Sequence, residues 1–143
     1  MRFYLDSEVI KVKRFMILIT VFIIVSVLIL SSCSSKSPEG TIKRYFKAIM
    51  REDYETAYSL LAGDMLKEKG SLEDFKKGFE NMKKHNREIV GVRIEDVVLS
   101  NDKKRARVHF VLTIRENGKE SDYRGAYILT LHDDGWKIEG SIF

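Results

Sequence analysis

The hydrophobic positions change period twice along the chain. From Phe15 to Leu30 they run without a charged residue; from Pro38 to Met82 they recur every three or four positions; from Arg87 onward they recur every second position. An apolar run, a 3.6-residue period and a two-residue period correspond to a leader segment, helices and strands.

The helical stretch divides at its polar punctuation. Ser37-Pro38-Glu39 supplies an N-cap, a proline suited to the first helical turn and an early acid, and Ile42, Tyr45, Phe46, Ile49 and Met50 fall on one face. Asp53 caps a second helix with Tyr54, Ala57, Tyr58 and Leu61 inward; Gly63 ends its regular part, leaving Met65 and Leu66 as a ragged extra turn. After Gly70, Ser71-Leu72-Glu73-Asp74 has capping-box form and opens a third helix carrying Phe75, Phe79 and Met82.

Four strands follow. Val90, Val92 and Ile94 alternate with polar residues, and Val97 and Leu99 continue on the opposite parity, which predicts a β-bulge near Glu95-Asp96. The second strand carries Ala106, Val108, Phe110, Leu112 and Ile114; the third Tyr123, Gly125, Tyr127, Leu129 and Leu131; the fourth Trp136, Ile138 and Ile142. The links are short and rich in turn formers, with Asn117-Gly118 the clearest hairpin signal, so consecutive strands pair antiparallel. The pattern predicts an α+β domain: three N-terminal helices packed on one face of a curved antiparallel sheet of about four strands.

Charge and cysteine usage narrow the chemistry. The first 32 residues hold Arg2, Lys11, Lys13 and Arg14 against Asp6 and Glu8; of 25 basic and 21 acidic residues, 21 and 19 remain beyond them. That near balance does not point to nucleic acid. A single cysteine excludes an internal disulfide, and without a Cys/His cluster no metal or cofactor is expected. His85, His109 and His132 are scattered without ligand spacing, and no Gly-rich phosphate loop is present.

The N-terminal segment reads as an export signal, with Lys11, Lys13 and Arg14 before the apolar run and Leu30-Ser31-Ser32-Cys33 after it. An uncleaved signal-anchor is the alternative, although sixteen residues are short for a bilayer core that takes about 20 in a helix. Leu30, Ser31, Ser32 and Cys33 resemble the bacterial lipoprotein lipobox at every position. The resemblance implies diacylglycerol transfer to the Cys33 sulfur, cleavage between Ser32 and Cys33, and attachment to a membrane on its extracytoplasmic side. In a Gram-negative envelope, Ser34 in place of aspartate resembles the pattern sent on to the outer membrane; in a Gram-positive one it carries no such meaning. The chain then divides into a signal peptide (1–32), a lipidated cysteine with a short tether (33–37) and one domain (38–143).

"SPEGTIKRYFKAIMREDYETAYSLL" (37–61) and "DDGWKIEGSIF" (133–143) resemble the NTF2-like, cystatin-like superfamily, and within it small bacterial lipoproteins with a DUF4878-type domain of unknown function. The resemblance implies a cone, with Tyr45, Tyr58, Phe110, Tyr127 and Trp136 as candidate pocket lining. These aromatics serve equally well as core. It also brings an enzymatic alternative of ketosteroid isomerase or SnoaL type, which needs an inward carboxylate near a donor. Asp53 and Asp96 are the acids nearest to that role, and capping and turn duties account for both.

The middle of the sheet is apolar on both parities, so Val111, Ala126 and Ile128 form a candidate partner or homodimer face. Two basic clusters, Lys83–Arg87 and Asp102–Arg107, read as solvated charge, with contact to anionic headgroups or wall polymers as the functional alternative. The expected function is a membrane-anchored, non-catalytic binding domain for an envelope protein or a small apolar ligand. An envelope stress or immunity role is a third reading that no residue supports.

Overall fold

The computed structural model describes residues 36–142. The leader, its cleavage site at Ser32 and Cys33, and Phe143 lie outside the described residues. Four helices, α1 (Pro38–Met50), α2 (Tyr54–Ser59), α3 (Gly63–Lys69) and α4 (Leu72–Lys84), precede four strands, β1 (Arg87–Leu99), β2 (Arg105–Glu116), β3 (Lys119–His132) and β4 (Gly135–Ile142). The strands form one antiparallel meander in the order β1-β2-β3-β4.

The helix caps are those the sequence predicts. Ser37 Oγ accepts the Gly40 N–H at 3.0 Å, and Asp53 accepts the Thr56 N–H at 3.1 Å. Ser71 and Asp74 close a reciprocal capping box, each side chain accepting the other residue's N–H.

The helix count differs from expectation: there are four helices, because the segment after Ser59 does not continue α2. Leu60–Ala62 instead pairs with the free side of β4, where Ile138 N–H donates to Leu60 O and Ala62 N–H to Ile138 O, both at 2.8 Å. Gly63 then takes φ +52° and starts α3, so the residue read as a helix end opens a new helix. The detour covers one edge of the sheet and buries Met65 in the core.

Strand β1 also differs in detail. It bulges at Glu95 as predicted, and a second register shift lies between Ile89 and Gly91. The extra residue there moves the inward position from Val90 to Ile89, so Ile89, Val92, Ile94 and Val97 pack on the core. Leu99, expected inward, lies beyond the reach of the helices and is 46% exposed. The β2–β3 connection is the two-residue turn Asn117-Gly118, both at positive φ as a type I′ hairpin demands.

Helix α1 lies along β1 in the opposite direction. Its last turn, Ile49 and Met50, adjoins Ile89 at the start of β1, and one turn earlier Phe46 sits 5.0 Å from Phe110, the partner of Ile94. The first turn of α1 therefore points toward the end of the sheet that holds the β1–β2 and β3–β4 turns.

Candidate functional site

The interior beneath the helices is filled by aromatic rings. Phe46 stacks on Tyr127 at 5.9 Å, Phe110 meets Tyr127 edge-on at 4.9 Å, and Tyr45 meets Tyr127 at 6.2 Å. The series continues through Phe75, which contacts Tyr45, Tyr58 and Phe79, to Tyr54 stacked on Phe79 at 5.8 Å. Of the five residues proposed as pocket lining, Tyr127 meets both Tyr45 and Phe110, and Tyr58 joins them through Phe75. Trp136 is buried in the same core without a ring partner among the described residues. Tyr58 uses its hydroxyl to tie α2 to the α3–α4 link, donating to Gly70 O at 2.7 Å.

The polar chemistry of this interior is sparse. Apart from the buried aromatics that carry a polar group, Thr41 is the one polar residue among the described residues that is buried as a whole, and its hydroxyl donates to Ser37 O at 3.1 Å. Burial pushes the Tyr127 phenol up to about 12 and raises Tyr45 well above its usual value, with the negative charge of Glu68 adding to both. Both stay protonated at neutral pH and cannot act as bases. Glu68 is itself an exposed carboxylate paired with Lys69 at 2.8 Å.

A pocket between the ends of α1 and α4 and the start of β1 holds about 50 Å³ and is edged by Met50, Tyr54, Phe79, Met82 and Arg87. Small-molecule pockets usually hold about 300–1,000 Å³.

On the reverse face of the sheet, Val111 and Ala126 are 3% and 5% exposed, and Ile128 is half-buried. Val111 pairs with Arg93 on one side and Arg124 on the other, and both arginines meet Glu95, at 3.6 and 3.4 Å. Open apolar surface lies beside Ala126 at its partner Ile142, 39% exposed, and at the far end of β1, where Val98 is 52% exposed beside Leu99. These two residues, with Ser100, Arg105, Arg107 and Ile128, line a groove of about 340 Å³.

The β1–β2 turn beside that groove is held by its own polar residues. Ser100 Oγ lies 2.5 Å from Asp102 Oδ1 and accepts the Arg105 N–H at 3.0 Å, while Lys104 N–H donates to Asp102 at 3.0 Å. Those donors hold the Asp102 carboxyl below its usual value. Lys103, at φ +56°, stands at the crest. Lys103, Lys104, Arg105 and Arg107 are exposed and form no ion pair among the described residues. A signal for this surface was present in the Val97-Val98 doublet, because two adjacent valines in a strand cannot share one face.

The other basic cluster is engaged in part, with Lys84 exposed and without an ion pair among the described residues. Lys83 pairs with Glu52, the Arg87 guanidinium lies 5.8 Å from the centre of the Tyr123 ring, and nearby Arg115 bonds Glu88 at 3.0 Å and Glu120 at 2.7 Å. The histidines do not converge: His85 Nδ1 lies 2.8 Å from Asn81 O, and His132 lies 3.2 Å from Glu139. No group of acids and histidines arranged to hold a metal occurs among the described residues.

No protein-family model and no curated protein matches this chain. Solved structures do. A SEC-C motif containing protein from Rhodopseudomonas palustris matches with a TM-score of 0.63 at 15% identity, covering 80% of this chain and 84% of that one. A cystatin-like domain of unknown function from Nostoc punctiforme has a TM-score of 0.52 at 16% identity, covering 71% and 70%. A protein named Rd1NTF2 has a TM-score of 0.52 at 17% identity, covering 70% and 90%. The fold is NTF2-like and cystatin-like. At these identities the likeness speaks for the fold alone, and an NTF2-like scaffold hosts many chemistries. In this chain, aromatic and aliphatic side chains occupy the space between the helices and the sheet.

Proposed function

We propose that this chain is an extracytoplasmic lipoprotein, cleaved between Ser32 and Cys33 and acylated on the Cys33 thiol, whose NTF2-like domain works by binding. The anchor rests on Leu30-Ser31-Ser32-Cys33 placed directly after an apolar run. The finer likeness to DUF4878-type lipoproteins belongs to the same proposal and rests on residues 37–61 and 133–143. Two acyl chains, at about 0.8 kcal/mol per buried CH₂, anchor stably where one is marginal.

The observation that carries the binding role is the filled interior. Beneath the helices the rings of Tyr45, Phe46, Phe110 and Tyr127 pack 4.9–6.2 Å apart, and the pocket between α1, α4 and β1 holds about 50 Å³, small for a ligand of ordinary size, which favours the exterior of the domain as its working surface. An isomerase or cyclase of this fold needs a carboxylate inside the cone, whereas the buried polar side chain there is a hydrogen-bonded threonine.

The test is metabolic labelling with a palmitate analogue. The native chain takes up label and migrates as the processed form; Cys33→Ala takes up none and accumulates as precursor. A Cys33→Ala chain that is still cleaved and labelled sinks the proposal.

A further inference from the structure

We propose that the β1–β2 tip is a docking surface for anionic phospholipid headgroups, which holds the tethered domain with this end against the membrane. The inference rests on the acylation of Cys33 proposed above. Three observations lead to it.

First, the tip carries cations with no internal task. Lys103, Lys104, Arg105 and Arg107 are exposed and unpaired among the described residues, whereas Lys83 and Arg115 at the opposite end of the sheet are held by Glu52, Glu88 and Glu120. The one acid within the turn, Asp102, is consumed by hydrogen bonds that shape it. The adjacent β3–β4 turn adds Asp133 and Asp134, the latter bonded to Lys137 at 2.8 Å, so the cationic surface is the tip and the outward side of β2.

Second, the same surface is apolar where it is not charged. Val98 pairs with Arg107, and Val98 and Leu99 are about half exposed beside the groove. Cations interleaved with exposed aliphatic side chains suit the headgroup boundary, where ammonium and guanidinium groups meet phosphates and alkyl groups leave water.

Third, the tether enters the domain on this side. Cys33 to Ser37 spans at most about 18 Å at 3.3–3.6 Å per residue, and the first turn of α1 points toward the end of the sheet that holds the tip. Lipid attachment at Cys33 keeps the tip within reach of the bilayer at high effective concentration. Contact then needs only weak intrinsic affinity.

The experiment uses the full chain, processed and acylated, reconstituted into phosphatidylcholine vesicles with or without phosphatidylglycerol. One fluorophore is attached at Asn101→Cys in the tip or, as control, at Lys119→Cys at the opposite end; quenching by headgroup-labelled lipid reports proximity. The proposal predicts quenching at position 101 that requires phosphatidylglycerol and weakens with salt, and little at position 119. Lys103→Gln with Lys104→Gln should lower the docked-to-undocked ratio about fivefold per cation removed, whereas Lys84→Gln at the far end leaves it unchanged.

Equal quenching at both positions, or quenching at 101 indifferent to phosphatidylglycerol, overturns the inference. So does a tip shielded only when purified anionic wall polymer is added. A Cys33 thiol that itself takes the fluorophore overturns the anchor and this inference together, and is read before vesicles are used.

Discussion

The interior and the β1–β2 tip use similar kinds of residue for opposite ends. In the interior, aromatic and aliphatic side chains are packed against one another, with rings 4.9–6.5 Å apart from Phe110 to Phe79. At the tip, two aliphatic and four cationic side chains contact solvent and form no ion pair among the described residues. The fold draws its stability from the first set and leaves the second free. Where the interior is already filled, the proposed binding role falls to surfaces the core does not need.

The difference is broken most severely by Phe46→Ala. Phe46 touches Tyr45, Phe110 and Tyr127, so its removal opens a cavity where three elements meet and should cost about 3–5 kcal/mol in chemical denaturation. A loss below about 1 kcal/mol would show that the rings pack loosely.

Alkaline pH should act on the same interior. Tyr127 has its folded-state value raised from 10 to about 12 and Tyr45 is also raised well above its usual value, both chiefly by burial. Above pH 10 the unfolded chain binds fewer protons than the folded one, so stability is fully present below pH 10 and declines as pH rises toward 12. Tyr127→Phe should flatten that decline in denaturant titrations at pH 8 to 11; an unchanged slope would place the phenol in water.

A smaller effect is expected where α2 gives way to α3. Gly63→Ala forces an L side chain to φ +52° with its Cβ about 3.4 Å from Glu139, which should destabilise by about 1–2 kcal/mol. A neutral outcome would mean that the Leu60–Ala62 pairing with β4 can slip.

The smallest effect belongs to the tip. Lys103→Gln with Lys104→Gln should alter stability by less than about 0.5 kcal/mol. A larger change would give these cations a structural task and remove the contrast with the interior.

Much of this architecture is legible residue by residue. Ser37, Asp53 and Ser71 announce their helices through local hydrogen bonds, Asn117-Gly118 announces a hairpin through backbone preference, and the parity change after Ile94 announces the bulge at Glu95. What escaped detection depends on distant partners. Leu60–Ala62 leaves α2 because Ile138 offers paired hydrogen bonds 76 to 78 positions away, and no local pattern encodes that choice. The shift near Val90 obeys the register against β2.

The candidate site was legible as a set of aromatic residues but not as an arrangement. Whether Tyr45, Phe110 and Tyr127 ring a void or fill it depends on tertiary distances of a few ångströms. The two basic clusters also look alike in sequence, and only the folded position of Glu52 shows that Lys83 is paired where Lys103 and Lys104 are not.

The filled cone is tested most directly by titrating the folded protein with an apolar fluorescent probe such as 1-anilinonaphthalene-8-sulfonate. The native domain should show no saturable one-to-one binding in its interior, and Phe46→Ala should create it. Saturable binding to the native domain that Tyr45→Trp or Phe110→Trp blocks would reveal an open pocket and contradict the account.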